Sequence, residues 1–480
     1  MPPSIPNDHI GDHSVLLKLI SQPSNLALFA GVLGLVFLVY RIVGDPVRKV
    51  PGPFLARFTR LWRGRALHKG AFEQVNIDLH QKHGSVVRVA PDTYSISDRL
   101  AIKKIYGHGS KFIKSTFYIP FGQPDPTKAN LFNDLDPHSH AQARRQVAAL
   151  YSMSTMVSYE QFFYAFDVIG EITVGKSFGM MERGYDNIGI LDAIDFSLVY
   201  GSFVGFLLPG IHRTFCAVTA FLGLRNPMQP LQDFIDDRIG ERKVGKTTTD
   251  RDDFLSKLLD MRAGGRIDEM ALQNGVGSNI VAGSDTTAVS LSAVLYHLLQ
   301  NPVCREKLQK EIADFQAEGT ISDPVTFAEA QKMPYLQAVI KEALRMHPAV
   351  GLPLARIVPH GGAELAGYYF PAGTCVGVNA WVLHHDEEIF GTDADLFQPE
   401  RWLRSKEEVS LMNENLFSFG AGSRTCIGKN ISLLEMNKVL VQIYRRFNIE
   451  HVGKTQPKEW ATNNRWFVKQ KFECKIAPRT

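Results

Sequence analysis

The chain has 480 residues, 45% hydrophobic and 21% charged, which is enough apolar material for one large domain or several. Lysine and arginine total 53 against 49 acidic residues, so charge gives no argument for nucleic acid as a partner. Cys216, Cys304, Cys375, Cys426 and Cys474 are far apart and make no Cys-x-x-Cys pair, which removes a disulfide framework and leaves zinc or iron–sulfur sites without their spacing.

In chain order, residues 26–43 form an apolar run interrupted only by Arg41. As a helix it would rise roughly 27 Å, near the hydrocarbon thickness of a bilayer. Arg41, Arg48, Lys49, Arg57, Arg60, Arg63 and Arg65 follow in quick succession, whereas residues 1–25 hold a single basic residue, Lys18. The positive-inside rule then gives a short lumenal N-terminus over residues 1–25, a transmembrane signal anchor over 26–43 and a cytosolic body. A cleaved signal is the alternative, but no small-residue cleavage site follows the run. Pro51-Gly52-Pro53 reads as a stiff turn, so residues 44–53 are expected to be a proline-rich hinge before a body over 54–480.

Residues 84–97 alternate β-branched and polar side chains around Pro91, as an edge hairpin does. Helical periodicity covers residues 138–151, 268–300, 334–347 and 428–447, while prolines and glycines punctuate short apolar runs over 352–377. The polar stretch 246–253 reads as a surface loop before the long helix. A mainly α fold with small β-sheets is expected.

Within the long helix, Ala282-Gly283-Ser284-Asp285-Thr286-Thr287 puts an acid and hydroxyls into an apolar run, where an unpartnered carboxylate costs several kcal/mol. The Thr286 hydroxyl can bond the Ala282 carbonyl and open the helix locally, with Gly283 easing the distortion. Helix back-bonding beside a surface-facing acid is the plainer reading. Glu342 and Arg345 share one helix face at i,i+3, a pair that is ordinarily solvated and worth about 0.2–0.5 kcal/mol. His384-His385-Asp386 offers metal-ligand chemistry, but adjacent residues do not easily face one site. Finally, Phe419-Gly420-Ala421-Gly422-Ser423-Arg424-Thr425-Cys426-Ile427-Gly428 sets a cysteine among glycines, beside an arginine and at the start of a helical pattern. Helix N-termini and cations favour a thiolate, and a thiolate binds iron. A buried, inert cysteine is the commoner fate of such a residue.

This loop closely resembles the haem-binding loop of the cytochrome P450 family, with one further residue between Phe419 and the second glycine–arginine pair. The resemblance runs from Val50 to the C-terminus, and the style of Asp167-Val168-Ile169-Gly170-Glu171-Ile172-Thr173 is similar to fungal members near pisatin demethylase. It implies a P450-like fold with haem b on the Cys426 thiolate as proximal ligand, and Phe419 and Arg424 as loop residues of the cofactor site. It implies that Asp285 and Thr286 relay protons in oxygen activation. His140 and Arg144, at i,i+4 after Asp136-Pro137-His138-Ser139, match the family's propionate-binding helix, although many members carry tryptophan where His140 stands. Arg356 matches the strand arginine, and Glu342, Arg345 and the stretch Phe397-Gln398-Pro399-Glu400-Arg401-Trp402 match a buried ionic network that supports the haem loop. Phe196, Phe203 and Phe206 fall where members have substrate-covering helices, with core packing equally expected; Leu352, Pro353 and residues 107–133 are better pocket walls.

The implied function is an endoplasmic-reticulum haem-thiolate monooxygenase that oxidises an apolar small molecule of fungal secondary metabolism. Its electrons come from NADPH–cytochrome P450 reductase, with cytochrome b5 a second candidate donor. A reductase-independent isomerase or dehydratase, or a truncated non-catalytic haem protein, are the alternatives. The last is raised by a departure from the family pattern: on the order of 30 residues, more than a helix of average length, are absent where Ser158-Tyr159-Glu160 meets Gln161-Phe162-Phe163. The chain is therefore expected to lack one peripheral helix after residue 158, through subfamily loss, splicing or a faulty gene model.

Overall fold

The computed structural model describes residues 23–123, 125–151, 165–186, 188–224, 226–244, 253–451, 462–470 and 474–479. The expected deletion point and most of the expected 246–253 loop lie outside these described residues, as does the expected lumenal stretch up to residue 22. The remainder is mostly helical with small sheets, as expected.

The helices that position the site are α1 (Pro23–Val43), α2 (Pro137–Val147), α3 (Ala165–Val174), α4 (Ile190–Leu207), α5 (Glu269–Gln300), α6 (Pro334–Met346) and α7 (Lys429–Arg446). Asp136 caps α2 by accepting from the backbone N–H of His138 and Ser139, and Pro137 fits the first turn, where an N–H would have no partner. Asp268 caps α5 in the same way, accepting from Ala271 N–H. Pro334 opens α6, which the sequence placed one residue longer.

Strands β1 (Val86–Ala90) and β2 (Thr93–Ile96) form the expected hairpin. With β3 (Ile113–Lys114), β4 (Arg356–Ile357) and β7 (Cys375–Gly377) they build one sheet in the order β1-β2-β7-β4-β3. Between β4 and β7 lies the separate hairpin of β5 (Ala363–Leu365) and β6 (Tyr368–Phe370). Near the C-terminus β8 (Phe447–His451) pairs β11 (Cys474–Pro478), and β9 (Thr462–Arg465) pairs β10 (Phe467–Gln470).

Helix α5 is the axis of the body. Its first half packs Val276 and Ile280 with Val168 and Ile169 of α3, and its second half packs Val294 and Leu298 with Val339 and Leu344 of α6 and Leu440 of α7. A Cβ on Gly283 would come within 2.7 Å of Ile169, so this glycine is set by the close approach of α5 and α3. Helix α4 is apolar and long enough to cross a bilayer by composition alone, but 44% of that window is buried inside the protein and it lies over residues 116–121. Helix α1 differs: Leu28, Phe29, Val32, Leu35 and Val36 are all more than half exposed.

The expected hinge is itself docked. Val47 and Val50 are buried, Arg88 N–H donates to Pro51 O, and the Arg88 guanidinium pairs with Asp45. Gly52 sits at φ 155° against the Arg88 carbonyl, an approach that leaves no room for a Cβ.

Candidate active site

Cys426 lies in the turn before α7, three residues ahead of the first helical residue, Lys429. Its N–H donates to Phe419 O at 2.8 Å, and Thr425 Oγ1 donates to the same carbonyl at 3.1 Å, closing the loop on itself. The residue keeps open surface although protein surrounds its sulfur closely enough to desolvate the thiol. Burial is the largest influence on the thiol and holds it above its ordinary value. The N–H groups of Gly428 and Lys429 and the Arg144 guanidinium pull the other way without overcoming it. The loop favours a thiolate less than its sequence suggested, and a bound metal ion would have to complete the ionisation.

A cluster of cations stands beside this loop. Arg424 donates to Asp134 O at 2.9 Å and Asp136 O at 3.3 Å, tying the cysteine loop to the start of α2. Burial first, and then Arg356, lower its guanidinium to about 10. His140 is buried on α2, and burial followed by Arg424, Lys114, Arg144 and Arg356 push it down to about 3, so it is neutral. Arg356 on β4 donates to Ala355 O at 3.0 Å and reaches the Tyr118 hydroxyl at 3.4 Å.

Lys114 completes the group, and sequence reasoning missed it. It stands opposite Arg356 in the β3–β4 register, is buried, and donates to Phe132 O. Its ammonium lies well below the usual lysine range, first through burial and then through Arg356 and Arg424. The only signal in the sequence was its place within residues 107–133. Four cations and a histidine thus converge beside two carboxylates, Asp134 and Asp136, so positive charge is in excess, an arrangement that fits a polyanionic group.

The expected bond from Thr286 Oγ1 to Ala282 O is present at 2.8 Å, yet α5 runs unbroken through both residues, so the local opening is not seen. Ala282 keeps open surface although it sits mid-way along the central helix. Asp285 is buried and faces Lys469 on β10, whose Nζ lies 2.7 Å from Oδ2. Burial, as the largest cause, raises this carboxyl, and Lys469 opposes the rise.

Glu342, Arg345 and Arg401 are fully buried. Glu342 accepts from Arg345 Nε at 2.9 Å and NH2 at 2.8 Å, from Arg401 Nε at 2.9 Å, from Trp402 Nε1 at 2.9 Å and from Gln398 N–H at 2.9 Å. His384 carries this network to the cysteine loop. Its Nδ1 meets Arg345 O at 2.8 Å and its Nε2 accepts from Phe417 N–H at 2.8 Å, which fixes the tautomer. His385 instead pairs with Asp395, so the two histidines serve different partners.

A cluster of rings packs around Trp466, between β9 and β10. Trp466 lies 5.2 Å from Phe117, 5.7 Å from Phe121 and 6.1 Å from Phe132, and Leu352 belongs to the same buried cluster. Phe206 is buried under Arg63, whereas Phe196 is half-exposed on the outer face of α4.

A cysteine loop before a helix, a buried Glu–Arg–Arg network behind it and a polar step in a long central helix are thus arranged as the resemblance of the sequence implies. The family described as Cytochrome P450 matches residues 157–476, and the chain belongs to the cytochrome P450 family. It is 40% identical to a pisatin demethylase of Fusarium vanettenii, over 97% of this chain and 94% of that protein, and 41% identical to a second one from the same fungus, over 93% of each. The cytochrome P450 monooxygenase cicH of Emericella nidulans is 34% identical over 87% of this chain and 91% of its own length. The chain is a cytochrome P450 monooxygenase of the fungal type, whose class uses a haem-thiolate cofactor, a redox partner and a small-molecule substrate. The first of these alignments spans 505 positions, more than the 480 residues of this chain, so that relative has residues that this chain lacks.

Proposed function

We propose that this chain is an endoplasmic-reticulum monooxygenase that binds haem b through Cys426 and oxidises an apolar small molecule of fungal secondary metabolism. The observation that carries this reading is the set of cations Lys114, Arg144, Arg356 and Arg424, joined by His140, beside the Cys426 loop. Those groups would hold the two propionates, and Cys426 would hold the iron. When bound, haem supplies the activation of dioxygen and the transfer of one oxygen atom to the substrate.

The chain's own residues handle protons and position. Thr286 Oγ1 gives its hydrogen to Ala282 O, which leaves its lone pairs free to accept a hydrogen bond from water in the space alongside. Asp285, raised by burial, holds a proton more readily than a surface aspartate and passes it toward Thr286. Phe117, Tyr118, Phe121, Phe132 and Trp466 exclude water from the substrate side. Glu342, Arg345, Arg401 and His384 keep the cysteine loop in place and touch no substrate. Electrons come from NADPH–cytochrome P450 reductase, with cytochrome b5 as a further donor. The exposed apolar surface of α1 supports an anchor whose N-terminus is lumenal.

The reduced carbon-monoxide difference spectrum of the expressed protein tests the assignment. A thiolate-type Soret band in the parent, lost in Cys426→His, is expected; an imidazole-type band in the parent overturns it. Shifts of the ferric spin state on adding pisatin and other apolar compounds then sort substrates.

A further inference from the structure

Lys469 is placed between two carboxylates on two helices. Its Nζ is 2.7 Å from Asp285 Oδ2 on α5 and also pairs with Asp195 on α4. The three residues form a gradient from interior to solvent: the side chain of Asp285 is 7% exposed, that of Lys469 33% and that of Asp195 57%. The contact with Asp285 joins a charge pair to a hydrogen bond at that short distance, and both favour the ionised pair.

The strand that carries Lys469 is firmly held. Next to it, Gln470 Nε2 donates to Val289 O on α5 at 2.8 Å, and Asn464 on the paired strand donates to Glu73 at 2.6 Å and Gly351 O at 3.2 Å. Helix α4 covers the ring cluster: Gly201 lies against Phe121 and Gly205 against the Phe117 carbonyl, with no room for a Cβ at either position. A fixed strand therefore presents one ammonium to both the acid helix and the covering helix.

We propose that Lys469 is a positioning residue for the proton relay, a latch that ties Asp285 on α5 to Asp195 on α4 and makes the state of Asp285 depend on where the covering helix sits. The proposal rests on the reading of Asp285 as a relay acid. With α4 closed, the ammonium is shared between two carboxylates; with α4 lifted, it belongs to Asp285 alone. Burial pulls the ammonium down, but the two carboxylates outweigh it and leave Lys469 above the usual lysine range, so it is charged with α4 in place. Removing it leaves a buried carboxylate with no counter-ion, which takes up a proton and stays neutral.

The test uses the full haem-loaded protein with a P450 reductase, in the variants Lys469→Met, Lys469→Arg, Asp195→Asn and Asp285→Asn. Reduced carbon-monoxide spectra verify that each has folded around haem. NADPH consumption in Lys469→Met is expected to fall about tenfold and in Asp195→Asn about threefold, with Lys469→Arg within about threefold of the parent. At neutral pH the infrared spectrum of Lys469→Met gains a protonated-carboxyl band that the Lys469→Met/Asp285→Asn double variant lacks. Either a parental rate or a missing band in Lys469→Met overturns the latch. A parental rate in Asp285→Asn overturns the relay reading itself, which is a separate failure.

Discussion

Lys114 and Arg356 stand directly opposite one another across β3 and β4, both buried. Like charges so placed destabilise a strand pair by up to about 1 kcal/mol even at a surface, and a bound dianion reverses the sign. Lys114→Met is therefore expected to stabilise the haem-free protein by about 1 kcal/mol while speeding haem loss from the loaded protein about tenfold. Denaturant unfolding of the first and haem transfer to apomyoglobin from the second measure the two effects. A purely structural pair would move both in the same direction.

Glu342 is expected to be the most sensitive position of the scaffold. Its two oxygens answer two buried guanidinium groups and the Trp402 N–H. Glu342→Gln keeps the shape but takes the carboxylate from Arg345 and leaves Arg401 with Asp393 alone, at about 3–5 kcal/mol. The urea midpoint and the yield of thiolate-type carbon-monoxide complex should fall together, because His384 passes the distortion to Phe417 and the cysteine loop.

The long elements were legible in the sequence because each carries its own signal: α5 through apolar periodicity, α6 between Pro334 and Pro348, and the β1–β2 hairpin through alternation. The Cys426 loop, Thr286 and the Glu342 network were legible for another reason, since each needs several fixed residue types at short spacing. Lys114 and Lys469 were not. A lone lysine reads as solvated surface until tertiary pairing sets it against Arg356 or Asp285, more than 180 residues away in each case. His384 stood out in the sequence only as a metal-ligand candidate to be set aside, because a buried histidine that donates at one nitrogen and accepts at the other has no sequence pattern.

Stability is expected to decline on acidification. Burial is the largest influence on His297, His347 and His384 and lowers them to about 3, about 4 and about 3. Unfolded, each titrates near 6.5. Above pH 6.5 neither state binds these protons, so the contribution is whole. As pH falls from 6.5 toward 3 the unfolded chain takes them up and the folded chain does not, so unfolding is favoured by about 1.4 kcal/mol per pH unit for each imidazole. Urea unfolding at pH 7.5 and pH 5.5 measures the slope. His347→Gln, which keeps a donor for Val468 O, should reduce it by about one imidazole's share.

Where the anchor ends and the body begins can be decided by truncation. The apolar side chains of α1 are largely exposed, so removal of residues 1–43 is expected to take away the membrane association proposed for α1 without loosening the body. Removal of residues 1–53 goes further: it deletes Val47 and Val50 from the core and strips the buried Arg88 of Asp45. Two lost aliphatic side chains and an orphaned guanidinium together cost on the order of 5 kcal/mol, comparable to the whole stability of many domains. The shorter deletion is expected to give soluble protein that melts like the parent, and the longer one protein that aggregates or melts well below it. Equal melting of the two would show that residues 44–53 are the free hinge that their prolines suggest.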